Sequence, residues 1–559
     1  VLGCVLAVAL VAPASAATRS AGGDAAPRDP AATADGKEPA TKSLPGLVRT
    51  RHDALRRALD GGELSEAEYA LARARSLFHA RASRVRFGDV VAPGRLDATL
   101  VLRDLAIRLR ELRGAKLARA RTLLARPTEG SADPMDDGYS VPAEEACSTN
   151  VCLTWVGSTR DAPDLTDSDG DSTPDWVQQA LEVLEEVWAL EVTSYGFRAP
   201  KPDDTSAEHG PDARLDVYLA DIGDGGLYGY CASDDPNLEP NADYGYGDMS
   251  AYCVLDEDFE EFAIPPLQAL QVTAAHEFFH AVQWAYDAFE DLWFTESTAT
   301  WMEDEVYTDV NDNLQYLRDS QLRRPARSLD LGSRRDSGVY GAWVFWRFLA
   351  EHLAEQPDPT IVRHAWEQAD GAAGGPDRYS LSALQAALRQ RQWLFRRAYA
   401  DFGAWNANPG LTYSEGSAYP TPPSAGRFTI RSSKPQLGPL VMTLDHLTTG
   451  YVSLKPGSGV AADARIRVAV DGPDYARGPE ATLVVRSVSG AIEYHRFRLN
   501  ANGDGVRRVP FGRGAIASVT LVLTNASTRF RCGQNTRFSC RGEPRDDDTR
   551  HVFDVTLIQ

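Results

Sequence analysis

The spacing of apolar residues along this chain changes character twice. Toward the C-terminus it has a period of two: Ile466, Val468 and Val470, then Val519, Leu521 and Leu523, then Phe553, Val555 and Leu557. Such alternation turns one face of a strand to a core and the other to water. Several runs of this kind with Gly-bearing turns predict a β-sandwich over residues 425–559. Ala418-Tyr419-Pro420-Thr421-Pro422-Pro423-Ser424 marks its start, because closely spaced prolines end helices. In residues 46–126 the period is helical. Leu102, Leu105, Leu109 and Leu112 make one stripe that Gly114 is expected to end, and Ser65 with Glu68 makes a capping box. Residues 141–420 are mixed: Val217–Leu219 and Tyr252–Val254 read as strands, a helix is expected near 266–288, and helices dominate from about 311, including the apolar run Tyr340–Trp346. The expected fold class is multidomain α+β: an N-terminal helical segment, a central α+β domain with its sheet first, and a C-terminal β-sandwich. Residues 127–140, PTEGSADPMDDGYS, read as a linker, and residues 17–45, rich in Ala, Gly, Pro and Asp, as a disordered one.

Composition adds a compartment. Val1 to Val11 is an apolar run ending in Ala14-Ser15-Ala16, the h-region and cleavage site of a secretory signal peptide over residues 1–16. No basic n-region precedes it, so this peptide is expected to lack its first residues. No later stretch is apolar for long enough to span a membrane. Beyond Cys4 the cysteines fall into close pairs, Cys147 with Cys152, Cys231 with Cys253, and Cys532 with Cys540, which read as three local disulfides of an extracellular protein. The formal charge of −21 hides an asymmetry, since residues 46–126 carry 18 Lys/Arg against 9 Asp/Glu. A basic helical arm has three readings: a removable prodomain on an acidic enzyme, a nucleic-acid binder, or a solvated bundle. Beside an exported acidic enzyme the first is favoured over nucleic acid.

The chemistry concentrates in His276-Glu277-Phe278-Phe279-His280, within QVTAAHEFFHAVQW. Positions i and i+4 share a helix face, so the two imidazoles can grip one metal ion, with Glu277 placed to take a proton from water. Thr273, Ala274, Ala275, Phe278, Phe279, Ala281 and Val282 carry no charge, as suits a buried metal helix. A metzincin would need glycine and a further ligand where Gln283 and Tyr286 stand, which closes that branch. A metal site needs a third ligand, and the downstream stretch EDLWFTESTATWMED offers Glu296, with Glu290, Asp291 and Glu303 as rivals.

That stretch resembles the gluzincin zinc peptidases, in which a second helix supplies a glutamate ligand. It is similar to the aminopeptidase-type run Leu-Trp-Leu-Asn-Glu-Gly-Phe-Ala with a further glutamate seven residues on. The resemblance puts Glu296 in the ligand position, Ala299 in the small packing position and Glu303 in that of the trailing acid. It implies Zn²⁺ on His276, His280 and Glu296, Glu277 as general base, and a thermolysin-like α+β domain over residues 141–420. By analogy with gluzincin tyrosines, Tyr340 is the candidate oxyanion stabiliser, with His352 and His364 as alternatives. The aminopeptidase element that grips a free amine is not found; Gly247-Asp248-Met249-Ser250 is the nearest sequence and lacks its glutamate. Residues 145–559 also resemble a family of secreted metalloprotease-like proteins from myxobacteria, through DLTDSDGDSTPDWV, LDVYLADIG, YGYC, AYCVLDEDF and YGAWVFWRFL.

A second cation site is expected in the loop Asp167–Asp175, whose acids Asp167, Asp169, Asp171 and Asp175 occupy loop positions 1, 3, 5 and 9. It resembles the calcium repeats of thrombospondin-type and dockerin-like proteins, but has Ser172 and Gln178 where an EF-hand has glycine and glutamate. The competing role for Asp175 is to cap a helix starting at Trp176. The sequence as a whole predicts a secreted zinc endopeptidase acting on protein or peptide substrates. An aminopeptidase, or a non-catalytic surface- or matrix-binding protein with a relic metal site, are the alternatives.

Overall fold

The computed structural model describes residues 54–78, 98–129, 138–206, 209–235, 247–333, 337–353, 356–534 and 536–559. The expected signal peptide, the linker at 17–45 and most of 127–140 lie outside the described residues. The fold is mixed α+β. Its first sheet has five strands, β1 (Ala143–Cys147), β2 (Val151–Val156), β3 (Leu215–Ala220), β4 (Gly229–Ala232) and β5 (Tyr252–Asp256), in the order β1-β2-β3-β5-β4. β2, β3 and β5 run parallel, while β1 and β4 are antiparallel to their neighbours, so β4 is an antiparallel edge. Every residue of β2, β3 and β5 is buried. Sheets reach that state only when both faces are covered.

The two covers differ. On one face Leu153, Val217, Leu219 and Leu255 pack with Phe278, Phe279 and the later helices. On the other, Val156, Tyr218, Tyr230, Tyr252 and Val254 pack with Leu102, Leu105, Leu123 and Leu124 of the basic N-terminal segment. That segment does not follow the single stripe expected of it. Its helix Ala98–Ala106 stops early, Leu109–Glu111 forms a 3₁₀ turn, and Gly114, expected as a terminator, begins the helix Gly114–Thr122. The φ of +55° at Gly114 lets the chain turn back so that Leu112 stays in the same core. The capping box forms as read, with Ser65 and Glu68 exchanging backbone-to-side-chain bonds. Three of the segment's arginines are paired: Arg73 and Arg103 with Asp104, and Arg126, fully buried, with Asp203, Asp216 and Asp234 of the central domain. Tyr139, expected in the linker, is buried instead, its hydroxyl within 3.0 Å of Thr154 O and 2.7 Å of Leu219 O.

Residues 426–558 hold eleven strands in sheets of five, four and two. The three alternating triplets lie in Arg465–Asp471, Ile516–Asn525 and Thr549–Ile558, and the two larger sheets share one core around Val468, Leu521 and Phe553. All three disulfides pair as the spacing predicts. The Cys532–Cys540 loop reaches back to the helical half: Cys540 N–H donates to Asp291, Ser539 N–H to Asp330, and Arg541 pairs with Glu66. Among the described residues no helix is long and apolar enough to cross a membrane.

Candidate metal centre

The helix Pro266–Tyr286 carries both histidines. Proline at its first turn presets the helical φ, and every residue from Val272 to Tyr286 is buried, as expected of a helix apolar all round. It ends at Asp287, and the next helix, Leu292–Val306, packs alongside. Glu296 and Glu303 are two turns apart on that second helix and so face the same way.

His276 Nε2 lies 3.3 Å and His280 Nε2 3.7 Å from Glu296 Oε2. The outer ring nitrogens are held from behind. His276 Nδ1 is 2.6 Å from Glu303 Oε1, and His280 Nδ1 is 2.8 Å from Gln283 Oε1. The Gln283 amide cannot be turned round, because its Nε2 donates to Thr295 O and Thr298 Oγ1 at 3.0 Å each. Its oxygen must therefore accept from His280 Nδ1–H, which leaves Nε2 as a lone pair aimed at the centre. Glu296 is 1% exposed, and neither of its oxygens has a hydrogen-bond partner among the described residues. A buried carboxylate left in that state is costly. Two imidazole Nε2 atoms and an orphaned carboxylate, with donor atoms all within 4.8 Å, fit a divalent transition ion, which would take the place of a proton on His276.

Electrostatics point the same way. Burial opposes a charged His276, yet the carboxylates of Glu296 and Glu303 beside it outweigh that and raise its pKa well above the usual value. Burial would likewise raise Glu296, but His276 and His280 hold it below the ordinary carboxylate range. Glu303 is pushed up to about 7 by burial, against the pull of His276. The centre therefore attracts positive charge, which a proton or a metal ion can supply.

The rival ligands are occupied elsewhere. Both oxygens of Glu290 accept from Ser380 N–H, Asp291 accepts from Cys540 N–H, and Glu303 braces His276. A cavity opens onto His276 and Glu277, walled by Tyr228, Gly229, Glu303, Asp312, Tyr316 and Tyr340. Tyr340 stacks on Tyr316 with ring centroids 5.1 Å apart and lies 6.1 Å from the His276 ring. The other two oxyanion candidates lie off this wall: His352 among Phe348, Trp393 and Trp405, and His364 beside Arg391. Met249, in the Gly247–Ser250 sequence, is buried against the Trp284 carbonyl at the far end of the motif helix.

The acidic loop is built differently. Asp167, Asp169 and Asp171 bring oxygens within 4.8 Å of one another, and Asp175 is not in that group. Asp175 accepts from Ser168 N–H and Oγ–H, and it is the first residue of the helix Asp175–Trp188, which starts one position earlier than expected. Sequence reasoning did not find the braces on the two histidines. Glu303 stood out only as the trailing acid, and Gln283 only as the residue that excluded metzincins. It also missed Thr99, whose hydroxyl reaches Glu277 from the N-terminal segment.

The chain matches no protein-family model and no curated protein. Among solved structures it is similar to the pre-peptidase C-terminal domain of a collagenase from Bacillus anthracis, at 13% identity and TM-score 0.14, over 24% of this chain and 97% of that one. It is also similar to a family GH115 4-O-methyl-α-glucuronidase with specificity for decorated arabinogalactans, at 9% identity and TM-score 0.14, over 52% of this chain and 38% of that one. Likeness at that level carries no argument about fold or activity, so the functional reading rests on the site itself.

Proposed function

We propose that this chain is a secreted zinc metalloendopeptidase of gluzincin type, acting on protein or peptide substrates through a thermolysin-like central domain. The observation that carries this reading is the aim of two imidazole Nε2 atoms at one orphaned, buried Glu296, with Glu277 beside them on a cavity wall. His276, His280 and Glu296 would hold the ion. Bound zinc supplies Lewis-acid polarisation of a peptide carbonyl and makes water easier to deprotonate. Glu277 takes the proton from the attacking water and returns it to the leaving amine. Tyr340, on the same wall, would donate its phenolic hydrogen to the oxygen that gains charge. Three disulfides suit an oxidising, extracellular setting.

The test separates base from ligand. Glu277→Gln should keep one zinc per chain, by elemental analysis, while casein hydrolysis falls by at least ~10²–10⁴-fold. Glu296→Ala should lose both zinc and activity. Near-wild-type turnover in Glu277→Gln would sink the mechanism. Zinc retained by Glu296→Ala would move the third ligand elsewhere. Stoichiometric zinc without hydrolysis of any peptide in a library would favour the non-catalytic binding protein.

A further inference from the structure

We infer that Thr99 is a positioning residue for Glu277, so that the N-terminal helical segment is a standing part of the catalytic machinery. The inference deepens the peptidase reading, on which the role of Glu277 rests. Thr99 is the second residue of the helix Ala98–Ala106, which packs against the edge strand β4. It is 3% exposed. Its Oγ1 lies 2.8 Å from Glu277 Oε2 and 2.9 Å from Cys231 N. The Cys231 N–H can only donate, so the hydroxyl accepts there, and its one proton goes to the carboxylate. One group thus ties the base to the backbone of the sheet edge.

This contact does for Glu277 what Glu303 and Gln283 do for the two histidines. The terminal torsion of a glutamate is broad, and a carboxylate held at one oxygen presents the other in a fixed plane. With Oε2 engaged, Oε1 is left for proton transfer. Thr99 is also on the right side for support. The cavity at His276 and Glu277 is walled by Tyr228, Gly229, Tyr316 and Tyr340, and Thr99 is not among its lining residues. A hydroxyl that plugged the site would stand in that space.

The segment is anchored as a permanent part would be. Arg126 is fully buried, with its guanidinium nitrogens 2.6 Å from Asp203, 2.5 Å from Asp216 and 3.0 Å from Asp234. The Tyr252 hydroxyl reaches the carbonyls of Leu124 and Ala125 at 3.1 and 3.0 Å. Removing the segment would strip this face of the sheet and leave three carboxylates facing one another.

The experiment uses the full chain with Thr99→Val, which keeps the shape and loses the hydroxyl, and Thr99→Ser, which keeps the hydroxyl. Both are assayed for zinc content, for kcat and KM on one peptide substrate, and for hydrogen–deuterium exchange at the Cys231 amide. Thr99→Val should lower kcat by about 10–100-fold with KM nearly unchanged and zinc intact, and should speed exchange at Cys231. Thr99→Ser should restore both to near wild type. Equal losses in the two variants would reduce Thr99 to packing, and higher activity in Thr99→Val would make it a plug; either result overturns the inference. If the wild type hydrolyses nothing, the peptidase reading is the one that fails. Exchange then decides the contact alone, and unchanged protection at Cys231 in Thr99→Val overturns it.

Discussion

At the His276–His280–Glu296 centre a carboxylate is buried with both oxygens unsatisfied; in the loop Asp167–Asp175 the carboxylates lie at the surface and are satisfied by their own neighbours. Asp167 accepts from Gly170 and Ser172 N–H, Asp169 from Asp171 N–H, and Asp171 from Thr173 N–H and the Gln178 amide. Both regions gather possible ligand atoms within 4.8 Å of one another, two imidazole nitrogens with one carboxylate oxygen in the first and three carboxylate oxygens in the second. Only the first gains much from a cation, because only there does the protein carry the cost of desolvated, unpaired acceptors. The loop is a self-sufficient turn, in which an ion would replace hydrogen bonds already made. A cluster of acids is informative to the degree that the fold leaves it unfinished.

A third cluster shows the finished case. Asp203, Asp216 and Asp234 converge as the zinc-type ligands do, but the chain supplies its own cation, Arg126. Burial works against the charge on Arg126, and Asp234 with its neighbours holds it protonated more firmly than usual. Arg126→Ala should be the most damaging single change to stability outside the disulfides, by about 3–5 kcal/mol, because it strands buried carboxylates. Chemical denaturation measures it. A loss below about 1 kcal/mol would mean that water fills the nest, and burial would then not separate the clusters.

The next test weighs the braces. Glu303→Leu removes the acceptor behind His276 while leaving all three proposed ligands in place. Zinc affinity, by competition with a chelator, should fall by about 10–100-fold. Leucine in place of Asp171, in the loop, should leave zinc affinity unchanged. An undiminished affinity in Glu303→Leu would make Glu303 a bystander and weaken the case that the centre is built from behind.

Much of this was legible in the residues, for reasons that differ from part to part. The C-terminal strands were readable because a period of two has one structural meaning when turns bound it. The motif histidines were readable because i, i+4 fixes a shared face whatever surrounds it. Residues 102–114 were misread because a leucine stripe cannot say where a helix breaks; here it breaks after Ala106, and the positive φ at Gly114 starts a new helix over the sheet beneath. Thr99 and Arg126 left no signal. Their roles depend on partners 178 and 77–108 positions away, Glu277 and the three aspartates, and a lone Thr or Arg in a basic helical stretch looks like any other. Gln283 was visible, but only as what it was not.

The smallest expected effect is calcium on the acidic loop. Its site is at the surface and its oxygens already hold N–H donors, so affinity should lie in the weak, millimolar range of extracellular modules. Binding only the folded chain still stabilises it, by about 1.4 kcal/mol when calcium is ten times the dissociation constant. In a protein of this size that corresponds to a rise in melting temperature of about 1 °C. Calcium in the 10 mM range should produce this rise in the wild type, and changing Asp167, Asp169 and Asp171 together to Asn should abolish it. The same calcium should leave hydrolysis and zinc content untouched, because the loop leads into the helix Asp175–Trp188 and contributes nothing to the cavity wall. Identical melting curves in calcium and in a calcium-selective chelator would reduce the loop to a self-bonded turn. A rise larger than that caused by zinc would reverse the comparison, making the surface loop, not the buried centre, the cluster that most needs a cation.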